Sequence, residues 1–160
     1  MSQHSGEQPA SLDPALTEAG RRASRRRELL HGAVVDLREL LESDDRASVE
    51  QVRAALERLS ATLEAHAWEA ETDDGLLAQV VEEDPGFGPR SEAMRREHRE
   101  LLAECTRVRG LLDDEAPAGS TVPGDLLAAV GELAEDVERH RHRSTKLLLD
   151  VYQLDLAAGD

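Results

Sequence analysis

The chain has one cysteine, Cys105, so no internal disulfide framework can hold it together. That usage fits a reducing compartment, and the expected location is the cytoplasm. No run of about 18 apolar residues occurs, so no membrane-spanning helix is expected. The opening residues Met1 to Pro9 lack the apolar stretch of a signal peptide. There is no Gly-rich phosphate loop, no Ser nucleophile elbow and no Cys-rich zinc motif. Basic residues are the minority, 19 Lys and Arg against 34 Asp and Glu, for a net charge of −15. A chain of that sign repels phosphate backbones, which argues against nucleic-acid partners. Aromatics contribute only 2% of residues, so a core must be built from aliphatic side chains.

What is abundant is helix-forming: Leu, Ala, Glu and Arg dominate. At 160 residues the chain can bury one independent core. Residues 1–12 are polar and are expected to form a flexible tail, with a single domain over 13–160. Asp13-Pro14 reads as an N-cap with proline at the first helical position. Leu30, Val34, Leu37 and Leu41 then mark a first helix to about Glu42, with a break expected near Gly20. Ser43 to Arg46 reads as a turn.

Ser48 with Gln51 three residues on suggests a capping box. Val49, Val52, Leu56, Leu59, Leu63 and His66 follow at steps of three and four, a continuous inward seam. The chain should loosen between Thr72 and Gly75. Asp84 to Pro89, with two prolines and two glycines, must interrupt any helix. Ser91 is the expected cap of the third helix, whose seam is Met94, His98, Leu101, Leu102, Cys105, Val108 and Leu112. After a connection at 113–124, Leu126, Val130, Leu133, Val137 and His140 mark the fourth, and the same steps reach Ser144 and Leu147. Short connections favour an all-α, antiparallel up-down-up-down four-helix bundle.

Four of the six histidines fall one to each of these helices: His31, His66, His98 and His140. Neutral imidazole is the commonest protein ligand for transition metals, and helices that each turn one inward can build a metal site inside a bundle. Glu69, three residues after His66, is the nearest carboxylate with a reasonable direction. Glu71 is rotated about 140° from His66, and His142 about 200° from His140, so both are expected to face solvent. Cys105 is expected to be a buried, inert thiol, and Trp68 to pack at a helix interface. The run Arg21, Arg22, Arg25, Arg26 and Arg27 reads as a solvated face paired with the chain's own acids, with a docking patch as the sharper alternative.

The order and spacing of Leu29-Leu30-His31, His66-Ala-Trp-Glu-Ala-Glu71, Pro89 with Glu97-His98-Arg99-Glu100, and Glu138-Arg139-His140-Arg141-His142 resemble the hemerythrin-like (HHE cation-binding) family over residues 25–155. The resemblance implies a bundle with two irons, held by histidines and bridged by two carboxylates. Those carboxylates usually follow the second- and fourth-helix histidines by four or five residues, where this chain has Ala70 and Ser144-Thr145. Met94 stands where the family has an additional third-helix histidine. Bridging anions normally offset the repulsion between two nearby cations, so a carboxylate-bridged di-iron centre is not expected.

Three functions follow. The first is a cation-binding or metal- or oxygen-sensing protein with an altered site of His66, His98 and His140, then His31, with Glu69 as a fifth donor. Such nitrogen-rich ligation suits iron, zinc, copper or nickel. The second is a bundle that holds no metal and serves as a helical interaction module, with a protein partner or a homodimer. Peroxide- or oxygen-handling catalysis is the third, since it requires an open redox-active metal position.

Overall fold

A computed structural model describes residues 13–43 and 46–158. The tail expected over 1–12 lies outside the described residues, as do Asp44 and Asp45 of the expected turn. Helix α1, Pro14–Glu42, begins as its sequence dictates: Ala15 donates its N–H to Asp13 Oδ1 at 2.8 Å and proline occupies the first turn. It does not break at Gly20. A Cβ there would stand 2.9 Å from the Tyr152 hydroxyl oxygen and 3.5 Å from Leu148. The glycine serves close approach between two helices.

Helix α2, Val49–Glu71, opens with the expected capping box: Gln51 N–H donates to Ser48 Oγ at 3.2 Å and Ser48 N–H to Gln51 Oε1 at 3.0 Å. The chain turns over Thr72–Gly75, where a Cβ on Gly75 would meet the Glu69 carbonyl oxygen at 2.5 Å. Helix α3, Leu76–Glu83, is a two-turn segment, followed by a 3-10 turn at Pro85–Phe87. Helix α4, Gly88–Glu115, starts four residues earlier than a Ser91 cap implies, with Pro89 in its first turn. Ser91 is therefore not its cap; the side chain is buried and its hydroxyl donates to the Leu77 carbonyl at 3.4 Å, tying α4 to α3. Helix α5, Gly124–Ala158, is the longest at 35 residues.

The four long helices form an antiparallel bundle in which α1 packs on α2, α2 on α4, α4 on α5 and α5 on α1, while α3 lies against α1, α2 and α4. No strand forms among the described residues. At one end the α1–α2 and α4–α5 connections are tied together, with Val49 N–H donating to the Ser120 carbonyl at 3.1 Å and Val122 N–H to that of Ala47 at 3.4 Å.

The apolar interior is divided. One cluster contains Leu30, Leu63, Leu101 and Val137; the other contains Ala23, Ala70, Met94 and Leu147. Reading each helix between those residues gives Arg27 on α1, His66 on α2, His98 on α4, and His140 with Ser144 on α5. All five are buried. A polar layer thus crosses the bundle and separates the two clusters. Buried polar groups are costly unless partnered, so this layer is where the fold departs from simple core packing.

Candidate metal centre

His66, His98 and His140 converge. One ring nitrogen of each lies within 4.8 Å of the others, and their ring centroids are 4.7–5.3 Å apart in edge-to-face arrangements. His66 and His140, on diagonally opposed helices, bring their Nε2 atoms to 3.2 Å. Their seam positions explain the meeting, because each continues the apolar stripe of its own helix and the three stripes share one axis.

Burial keeps these imidazoles neutral. It lowers the His66 pKa to about 2, aided by His98, His140 and Arg27, and that of His140 to about 3, aided by His98 and Arg143. His98 is also lowered by burial, against the opposing pull of Glu71 and Glu97. Neutral imidazole is the form that ligates metal.

Carboxylates stand behind two of the three rings. Glu97 Oε2 lies 3.4 Å from His140 Nδ1, while its other oxygen bonds Arg143. Glu71 Oε1 lies 3.6 Å from His98 Nδ1, an ion-pair distance slightly too long for a hydrogen bond. His66 Nδ1 and His98 Nδ1 have no hydrogen-bond partner among the described residues. The expectation that Glu71 faces solvent is corrected: its flank of α2 is the one packed against α4.

His31 and Glu69 do not join the group. The His31 side chain is 48% exposed and its Nδ1 lies 3.4 Å from Glu138 Oε2. Arg141 is the main reason that Glu138 has a pKa lowered to about 2, with His31 contributing. Glu69 accepts a 2.6 Å hydrogen bond from Arg22 Nε. Residues 25–152 match the family model of the hemerythrin HHE cation binding domain, most of the chain. The protein belongs to the hemerythrin HHE cation-binding family. No curated protein and no solved structure matches it.

For a hemerythrin-family domain, the layer one helical turn beyond the triad is unusual. It holds Ala70, Met94, Ser144 and Arg27, all buried, so no carboxylate is available to bridge two ions. Three imidazole nitrogens within 4.8 Å of one another could hold one ion. Nitrogen ligands at about 2.0–2.1 Å from a tetrahedral ion stand about 3.3 Å apart, close to the 3.2 Å between His66 and His140. They do not fit a carboxylate-bridged pair.

Arg27 is the residue that the expectation of a solvated arginine face missed. It is only 6% exposed, whereas Arg21 pairs with Glu18 at the surface and the half-buried Arg22 with Glu69. The signal lay in the spacing: Arg27, Leu30, Val34 and Leu37 follow steps of three and four, so Arg27 is on the α1 seam and His31 is beside it. Trp68 is also corrected, being 66% exposed; two residues past His66, it points away from the axis, as does the exposed His142 past His140. Cys105 is buried as expected, and burial raises its pKa to about 11.

Proposed function

We propose that this hemerythrin-family protein binds a single transition-metal ion through His66, His98 and His140 and acts as a metal-binding or metal-sensing module of the cytoplasm. The observation that carries this reading is the convergence of three buried, neutral imidazoles, two of them backed by carboxylates. Metal-ligating histidines commonly place the second ring nitrogen against a carboxylate, which fixes the ring and raises its basicity. Glu71 and Glu97 are positioned for that role. A groove of about 290 Å³ lined by Glu97, Glu100, Glu104 and Asp136 against Arg143 is acidic on balance and would draw cations to this side of the bundle. The bound ion would supply Lewis-acid chemistry, or redox chemistry if it is iron or copper.

A second reading has one observation in its favour. The 3.2 Å contact between His66 Nε2 and His140 Nε2 is itself a hydrogen bond that closes the core, as a metal-free interaction module would need. Elemental analysis of protein made in iron-supplemented medium and purified without chelators separates the two. Metal binding predicts about one equivalent of transition metal. It also predicts a melting temperature that rises with metal, since saturation at 100 times Kd is worth about 2.7 kcal/mol. Both effects should be lost in His98→Ala. Less than about a tenth of an equivalent, with unchanged melting, would overturn the metal reading and leave the interaction module.

A further inference from the structure

The chain has one tryptophan, and it stands on the surface. Trp68 on α2 is 66% exposed and Leu29 on α1 is 57% exposed. Between their helices runs a groove of two adjoining cavities, about 250 and about 300 Å³, that share Arg26 and Leu29. Arg22, Arg25, Arg26 and Leu29 line its α1 side, and Ala61 and Ala65 its α2 side. Trp68 follows Ala61 by seven residues and Ala65 by three, so it continues the same flank of α2. From Arg58 to Glu69 the groove follows α2 for about 16 Å, or three helical turns.

Charge divides this patch into paired and unpaired cations. Arg22 bonds Glu69 at 2.6 Å, and Arg58 bonds Asp36. Arg25 and Arg26 form no ion pair among the described residues, although acids outnumber bases 34 to 19 in the chain. Pairing with the chain's own acids therefore accounts for Arg21 and Arg22 and leaves these two unexplained. A single exposed leucine is ordinary. A tryptophan and a leucine flanking a groove rimmed by arginines match the composition of the residues that dominate protein interfaces. Ala61 and Ala65 are small, so the groove stays open to side chains from outside.

We propose that the α1–α2 groove docks a partner protein through an acidic amphipathic helix. Its apolar side chains lie on Leu29, Ala61, Ala65 and Trp68, and its carboxylates meet Arg25 and Arg26. Helices that bind in grooves present apolar anchors at steps of three and four, and three turns of such a helix fill the length available. Other occupants fit less well. A second copy related by a two-fold axis would set arginines against arginines. An anionic bilayer would also face the acidic remainder of the surface, which a docked helix does not touch. Residues 1–12 of the chain itself contain one acid, Glu7, too few for both arginines. The groove uses none of the three central histidines, so the proposal stands apart from the metal reading.

Because Trp68 is the sole tryptophan, its fluorescence reports the groove directly. The test titrates the full chain with a tryptophan-free synthetic peptide of about 18 residues, leucine at steps of three and four and glutamate elsewhere. Trp68 emission should shift to the blue and saturate at micromolar peptide, while the same peptide with lysine for glutamate should give no shift. Arg25→Glu combined with Arg26→Glu should raise the half-saturating concentration at least about tenfold, and Leu29→Ser about fivefold. Should the double variant fail to fold, as judged by circular dichroism, Leu29→Ser at its exposed position carries the test. No shift up to millimolar peptide, equal binding of the lysine peptide, or a folded double variant within about twofold of wild type overturns the proposal. A blue shift produced by phosphatidylserine vesicles and not by the peptide would replace it with a membrane surface. Self-association in sedimentation that Leu29→Ser abolishes, without peptide binding, would replace it with a contact between copies.

Discussion

A histidine that ligates through one ring nitrogen is commonly held in place through the other, and in the proposed site Glu71 on α2 and Glu97 on α4 would supply that hold. Removing such an outer carboxylate typically costs 10–100-fold in metal affinity. Glu71→Gln, which keeps the shape and removes the charge, should weaken metal binding by roughly that factor in competition with a chromogenic chelator, with little change in helicity. Unchanged affinity would reduce the Glu71–His98 contact to a surface ion pair. These roles were only partly legible in the sequence. The three central histidines followed from seam spacing, because a residue at steps of three and four from Leu63, Leu101 or Val137 has no direction but inward. Glu71 was not legible, because an angle about one helix axis does not say which neighbour fills that side. Arg27 was legible in principle, but a long cation on an apolar seam is so costly that its neighbours Arg25 and Arg26 make a solvated reading natural.

Helix boundaries depend on local chemistry, so most were readable one element at a time. The Ser48–Gln51 capping box satisfies N–H groups that α2 cannot satisfy internally. Ser48→Ala should therefore destabilise the protein by about 1 kcal/mol, seen as a lower urea midpoint with an unchanged slope. The same turn pairs with residues 120–122 at the α4–α5 connection, so a loss well above about 2 kcal/mol would mean that the cap also holds the two connections together. Where local reading failed, a tertiary partner decided. Gly20 looks like a helix breaker in isolation, yet it stays helical because Tyr152 and Leu148 of α5 need the space a Cβ would take. Ser91 looks like a cap, but Pro89 starts α4 earlier and leaves the hydroxyl to join α4 to α3.

At the scale of the whole molecule, a polar layer holding three neutral imidazoles separates two apolar clusters, and that arrangement depends on pH in a direction that can be worked out. In the metal-free chain, His66 and His140 have folded pKa values of about 2 and about 3, and His98 is shifted the same way, whereas an unfolded histidine titrates near about 6.5. Above that value neither state takes up the proton, so the stabilisation from neutral burial is complete. As pH falls below it, the unfolded chain binds protons that the folded layer refuses, and stability declines by about 1.4 kcal/mol per pH unit for each histidine. Between pH 7.5 and 5.5 the layer should lose about 3–4 kcal/mol, measured by urea unfolding at both values. Glu138, held near 2 mainly by Arg141, adds nothing to this interval: its stabilisation is complete above the unfolded carboxylate value near about 4.3 and is lost between that value and its folded one. Replacing His66 and His140 together by leucine should flatten the decline to the share of His98. Bound metal should raise stability across this range without steepening the decline, because the folded imidazoles are already unprotonated there. A metal-free stability that stays level over this range would mean that solvent reaches the triad and the polar layer is not closed.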